Sequence, residues 1–146
     1  MMRKMRREDH DDYIRMASDF FSSPAVIEKS DTETHERTFN EIINGDGLVE
    51  GFIFEHEGKT AGFAITVRMF QTAVGGTELW LDDIYLLPEY RSLGLTRPLF
   101  EYASELLESG EVRRLRLEVE EENEHARALY SRRGFEILDY LQMIKI

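Results

Sequence analysis

The stretch from Leu86 to Pro98 has the residue types and spacing that best fit a chemical task. It reads Leu86-Leu87-Pro88-Glu89-Tyr90-Arg91-Ser92-Leu93-Gly94-Leu95-Thr96-Arg97-Pro98, ending an apolar run and opening a helical one. Backbone N–H groups at a helix start have no partner in the helix, carry partial positive charge and attract anions. Gly94 lets a ligand approach the main chain, and Arg91 adds a fixed positive charge to an otherwise acidic chain. Together these suit a pyrophosphate. Upstream, Asp82 and Asp83 interrupt an apolar strand-like run. Adjacent residues on a regular strand point to opposite faces, so only one of the two is expected to face a cleft. Downstream, Glu118 to Glu122 and Glu124 form a carboxylate run, which is either a solvated face or an attraction for a cationic acceptor.

The elements that must position these groups follow from apolar periodicity. A short strand is expected over 2–6 and helices over 9–22 and 32–44, the first from Tyr13, Ala17, Phe20 and Phe21 at helical spacing. Residues 48–55 and 61–69 are β-rich and flank a turn at Glu57-Gly58-Lys59; Gly75-Gly76 marks a second turn before a strand over 78–87. Three strands joined by short turns imply an antiparallel meander. A helix over 94–109 accommodates Pro98 only in its first turn, where the missing N–H costs nothing. Residues 112–119 alternate as a strand does; 123–133 reads as a helix with Asn123 as N-cap and Gly134 as its stop; 135–145 reads as a last strand. Strand, helix and strand from 78 to 119 make a βαβ crossover, so that pair is expected to be parallel and right-handed.

Composition narrows the class. The 146 residues carry a net charge of −11, with 18 Lys+Arg against 29 Asp+Glu. Such a chain lacks the basic face that nucleic acid requires and favours cationic partners, amines among them. Without cysteine there is no disulfide framework, thiolate metal site or thiol nucleophile. His10, His35, His56 and His125 lack metal-ligand spacing, so no metal is expected. No run approaches the ~20 apolar residues of a membrane span. The charged N-terminal residues do not read as a secretory signal, so the expected compartment is the cytoplasm, with no membrane partner. One domain over 1–146 is expected, without linker or repeat.

Two segments in register resemble the GNAT superfamily, the Gcn5-related N-acetyltransferases. The family's acetyl-CoA loop, Arg/Gln-x-x-Gly-x-Gly/Ala, is similar to Arg91-Ser92-Leu93-Gly94-Leu95-Thr96, with Thr96 at the final small-residue position. A hydroxyl there can donate to a phosphate oxygen. The family's later helix, Asn-x-x-Ala-x-x-Leu/Phe-Tyr-x-x-x-Gly-Phe, is similar to Asn123, Ala126, Leu129, Tyr130, Gly134 and Phe135. The likeness is strong over about 78–135, and the element order fits elsewhere.

The resemblance implies a mixed α/β fold, a central twisted sheet of six to seven strands flanked by about four helices. It implies acetyl-CoA as acyl donor, lying in a V-shaped gap between strands 78–87 and 112–119. The pantetheine would pair with the backbone of Ile84, Tyr85 and Leu86, and the pyrophosphate would rest on Arg91, Ser92, Leu93, Gly94, Leu95 and Thr96. A backbone N–H near Leu86 would stabilise the oxyanion, an effect worth ~3–4 kcal/mol. Asp82 is the expected base, with Glu78 second because four residues back on a regular strand is the same face; Tyr130 is the expected general acid, and Asn123 caps its helix and touches the cofactor. The expected reaction is acetyl transfer to a primary amine of a polyamine- or aminoglycoside-like small molecule. The alternatives are a peptide or protein acceptor, or a non-catalytic acyl-CoA-binding module. An open edge at 135–145 is expected to favour a homodimer.

Overall fold

The computed structural model describes residues 1–146 as one five-stranded sheet in the order β1-β2-β3-β4-β5. The strands are β1 (Met2–Lys4), β2 (Val49–His56), β3 (Lys59–Gln71), β4 (Gly76–Leu86) and β5 (Arg114–Leu117). The helices are α1 (His10–Phe21), α2 (Thr32–Asn44), α3 (Arg97–Glu108) and α4 (Glu124–Arg132). The first four strands are antiparallel neighbours, and β4 and β5 are parallel. The expected meander and crossover are both present. Glu57 and Gly58 turn the β2–β3 hairpin with positive φ of 49° and 75°, the signature of a two-residue type I′ turn. Pro98 lies in the first turn of α3.

Alternation along the strands divides the core into two layers. Phe52, Phe54, Ala64, Leu79 and Leu81 pack beneath Leu99, Phe100 and Ala103 of α3. Ile53, Phe63, Ile65 and Tyr85 face Tyr13, Met16 and Ala17 of α1 and Phe39 of α2. Strand β4 breaks this parity once. Leu81 belongs to the α3 layer, whereas Tyr85, four residues on, belongs to the α1–α2 layer. The register explains the switch: Thr66 pairs with Leu81 and Ile65 with Asp83, so Asp82 is an extra residue, a β-bulge.

Two expectations about the sheet need correction. There are five strands rather than six or seven, because residues 135–146 adopt neither strand nor helix. The expected last strand has apolar residues on both faces, and a lone sheet edge can pair its backbone but cannot cover both of its faces. Strand β5 is also shorter than 112–119. It ends at Leu117, where its pairing with β4 ends. No helix is long and apolar enough to cross a membrane.

Glu78 is a third correction, and it bears on the site. Its carboxylate is completely buried and ion-paired with Arg114 and, at 3.5 Å, with Arg116. The guanidinium of Arg116 lies 4.5 Å from the Trp80 ring centroid. This cluster fastens β4 to β5 at the start of their parallel ladder. The bulge also breaks the i, i+4 relation to Asp82, so Glu78 is a clamp between strands and has no opening to a cleft.

Candidate active site

The parallel ladder runs from Glu78–Arg114 to Leu81–Leu117 and then stops. Strand β4 continues to Leu86 with β3 still paired on one side and no strand on the other. The result is a V-shaped gap whose β4 wall, Asp82 to Leu86, offers main-chain groups to an extended ligand. At its far end Arg91 Nε donates to the Leu86 carbonyl at 3.0 Å, and the guanidinium stands 5.7 Å from the Tyr85 ring. Arg91 was expected to turn toward the anion loop; instead its side chain folds back on the strand it follows. A carbonyl exposed by the parted strands is the nearest strong acceptor.

Beyond Arg91 the main chain forms a cradle. Ser92 and Gly94 both have positive φ, 65° and 73°. Ser92, Leu93, Gly94, Leu95 and Thr96 donate no hydrogen bond within the protein, whereas Arg91 N and Arg97 N on either side do. Alternating left-handed residues with free N–H groups make an anion-binding concavity, reinforced here by the start of α3. A side chain added at Gly94 would meet nothing within 4 Å, so the space above the cradle is open. Thr96 precedes α3 in an ordinary helical conformation, and its hydroxyl does not cap the helix. It is therefore free to donate into the same space.

The bulge alters the expectation for the acidic pair. Asp82 reaches solvent while Asp83 is half-buried, and neither carboxylate has an ion-pair or hydrogen-bond partner. Burial and then the negative charge of Asp82 push the Asp83 carboxyl up to about 7. Burial, followed by Glu118 and Glu28, also raises Asp82, which stands open to water but is ringed by protein and like charge. Tyr13, almost fully buried, has its hydroxyl pushed upward by burial and then by the charge of Asp83. Asp83 thus looks toward α1, and Asp82 toward the end of β5 and the α1–α2 connection. A nearby cavity of about 280 Å³ is lined by Phe20, Ser23, Pro24, Ala25, Ile84, Tyr85, Leu86 and Arg91.

Tyr130 lies on α4, its ring 6.0 Å from Phe100 and 6.2 Å from Phe135. Its hydroxyl is pushed upward by burial, which keeps it protonated through the neutral range. It lines a groove of about 890 Å³ beside β5. Asn123 caps α4, its Oδ1 accepting from Ala126 N at 3.2 Å, which leaves the amide nitrogen free. No three His, Asp or Glu side chains converge on a position that could hold a metal ion.

The sequence matches the profile of the acetyltransferase (GNAT) family over residues 8–135. The chain belongs to that family. This GNAT chain is 29% identical over 136 residues to a Bacillus subtilis (strain 168) protein provisionally assigned as a ribosomal protein bS18-alanine N-acetyltransferase, covering 92% of this chain and 80% of that one. It is 30% identical over 119 residues to a thialysine N-epsilon-acetyltransferase of Caenorhabditis elegans, covering 82% of this chain and 69% of the other. A solved structure of a possible acetyltransferase from Clostridium difficile 630 superposes with a TM-score of 0.83 at 20% identity, over 100% of this chain and 96% of that one. The GNAT domain is accordingly an acetyl-CoA-dependent N-acetyltransferase.

The residues present fit that donor. Five unpaired N–H groups and an open space above Gly94 suit its diphosphate, and the unpaired side of β4 suits its amide-bearing arm. The elements bring Ile84 to Leu86 and Ser92 to Thr96 to one end of the sheet, and α4 sets Tyr130 and Asn123 on the far side of β5. What sequence reasoning undervalued is Asp83, together with Glu28. Strict alternation lets only one of the pair face the cleft and leaves Asp83 as a structural residue or a contact to the substrate amine, and no local pattern announces a bulge. Glu28 lies in the connection between α1 and α2, where periodicity says nothing.

Proposed function

We propose that the acceptor is a primary amine of a cationic small molecule, polyamine- or aminoglycoside-like, acetylated in the cytoplasm by direct attack within a ternary complex. The observation that carries this is the pair Asp82 and Asp83, two carboxylates without partners, with Glu28 and Glu118 facing the first. Half-buried negative charge without a counter-ion is costly, and an ammonium group relieves it. The 280 Å³ cavity beside Tyr85 is sized for a small group. Similarity to a thialysine N-epsilon-acetyltransferase points the same way.

When bound, acetyl-CoA supplies an acyl group already activated as a thioester. Asp82, with Asp83 behind it, draws in the ammonium and accepts the proton that frees the nitrogen lone pair. As the C–N bond formed and the C–S bond broke, the Tyr130 hydroxyl would give its proton to the departing sulfur, and the second proton of the attacking nitrogen would pass to the tyrosinate. The Ser92–Thr96 main chain would hold the diphosphate, Arg91 would add positive charge beside it, and Asn123 would offer its free amide nitrogen. General acid–base assistance of this kind contributes ~10²–10⁴-fold.

A second reading, in which the acceptor is a peptide α-amine, is favoured by the similarity to the bS18-alanine enzyme. A panel of diamines, polyamines, aminoglycosides and short peptides, with acetyl-CoA and thiol release as readout, separates the two. Release with polyamines or aminoglycosides is expected; release confined to peptides would replace the first reading by the second. Tyr130→Phe is expected to lower kcat at least ~10-fold with an unchanged acetyl-CoA Kd. An unaltered kcat would remove Tyr130 from the mechanism.

A further inference from the structure

Trp80 is the only tryptophan of the chain, and it belongs to neither core layer. Its neighbours Leu79 and Leu81 pack under α3, so the half-buried indole stands on the opposite face of β4. Its Nε1 donates to the Met69 sulfur at 3.2 Å, a weak acceptor on a side chain that is 45% exposed. Over the ring lies the Arg116 guanidinium, 4.5 Å from the centroid. An aromatic face held out of the core with a cation resting on it is a face that attracts cations.

The register sets this ring beside the acidic pair. Trp80 pairs with Arg116 and Leu81 with Leu117. Leu81 and Leu117 pack in the α3 layer, so Trp80 and Arg116 share the other face, and Asp82 and Glu118 follow them there. The charge of Glu118 reaches Asp82, as that placement requires. Ring and carboxylate are thus two residues apart along the strand, ~7 Å at ~3.3 Å per residue. Their order relative to the donor is fixed as well. The unpaired edge of β4 that suits the donor's arm, Ile84 to Leu86, lies on the far side of Asp82 from Trp80. An amine attacking from Asp82 must carry the rest of its own molecule away from the donor, and along the strand that direction leads to Trp80.

We infer that Trp80 selects acceptors with a second ammonium group ~7 Å from the reacting amine, this second cation replacing Arg116 on the ring. The inference rests on the reading of Asp82 and Asp83 as the seat of the acceptor amine and narrows it to linear diamines. An extended chain advances ~1.2 Å per bond, or ~3.6 Å over the three bonds of a residue. Diaminobutane and diaminopentane therefore hold their nitrogens ~6 and ~7 Å apart. Arg116 has a partner to retain when it leaves the ring, since its Nη1 already stands 3.5 Å from Glu78 Oε1. The exchange puts one cation in place of another.

Linear diamines from ethylenediamine to diaminooctane, each beside the monoamine of the same length, test this with acetyl-CoA and thiol release as readout. The ratio of kcat/KM for the diamine to that for its monoamine is expected to peak at diaminobutane or diaminopentane. Trp80→Leu should lower the ratio ~10-fold, through KM, and Trp80→Phe should restore most of it. Arg116→Gln frees the ring and should raise the ratio. A general loss of folded enzyme lowers both rates alike and leaves the ratio where it was. A ratio that is flat across chain lengths overturns the inference while the acidic pair keeps its role. So does one that Trp80→Leu leaves unchanged or that Arg116→Gln fails to raise. Release confined to peptides overturns the inference together with the reading on which it rests. Should Trp80→Leu fail to fold, the length profile of the native chain and the Arg116→Gln ratio decide.

Discussion

Asp83→Asn is expected to make the protein more stable and less active at once. The Asp83 carboxyl is held at about 7 against an ordinary 3.8, first by burial and then by the charge of Asp82. Because the folded state disfavours the charged form, ionising Asp83 lowers stability. The cost is absent below about pH 4, grows as pH rises toward 7, and is complete above it. Three pKa units correspond to at most ~4 kcal/mol; partial exposure and coupling to Asp82 reduce this to about 2 kcal/mol. For a domain of this size that is a gain of roughly 4–8 °C in Tm at pH 8, vanishing near pH 4. The same substitution removes half of the acidic pair that draws in the acceptor, and kcat/KM for the amine is expected to fall ~100-fold. Thermal denaturation at the two pH values and steady-state kinetics check both halves. Equal Tm gains at pH 4 and pH 8 would show that the carboxyl is not the cause. Asp82→Asn supplies the complement: with that charge gone the Asp83 carboxyl titrates lower, so the Tm gain from Asp83→Asn at pH 8 should shrink in an Asp82→Asn background.

Gly94→Val should abolish most of the affinity for acetyl-CoA while leaving the fold standing. Gly94 sits at φ +73°, where an L residue costs ~1–2 kcal/mol and a β-branched one more. Nothing lies within 4 Å of an added Cβ, so crowding in the free protein does not oppose the change. The valine methyls instead enter the space that the diphosphate needs, or the loop relaxes and its N–H groups disperse. Either outcome should weaken binding ~100-fold, equivalent to about 2.7 kcal/mol. Calorimetric titration with acetyl-CoA is the measurement, with Gly94→Ala expected between the two. Native affinity in Gly94→Val would mean that the diphosphate binds elsewhere.

These two predictions rest on features of different legibility. The Gly94 cradle is local. A strand, a left-handed glycine, a proline in the first helical turn and the spacing to Asn123 and Tyr130 are short-range patterns, and each can be read from neighbouring residues. The βαβ crossover follows from them through chain handedness. The Asp82–Asp83 arrangement is not local. Whether two adjacent carboxylates face opposite ways depends on how Ile65 and Thr66 of the neighbouring strand line up with Leu81 and Asp83. Period-two reasoning therefore ranks Glu78 after Asp82 as a candidate base on the same face, and the structure places Glu78 in a buried clamp with Arg114 and Arg116. The expected strand over 135–145 failed for a related reason. Strand propensity describes a willingness to pair; whether a segment joins an open edge such as that of β5 is set by how it packs there.

By itself, then, the amino-acid sequence determined the family, the acyl donor, the order of elements and the anion-binding turn, since these depend on contacts within a few residues or on spacing along the chain. Tertiary structure alone decided which carboxylates stand unpaired, where Arg91 points, and where β4 and β5 separate. Those outcomes are set by register between strands and by burial, and both arise only when distant segments pack.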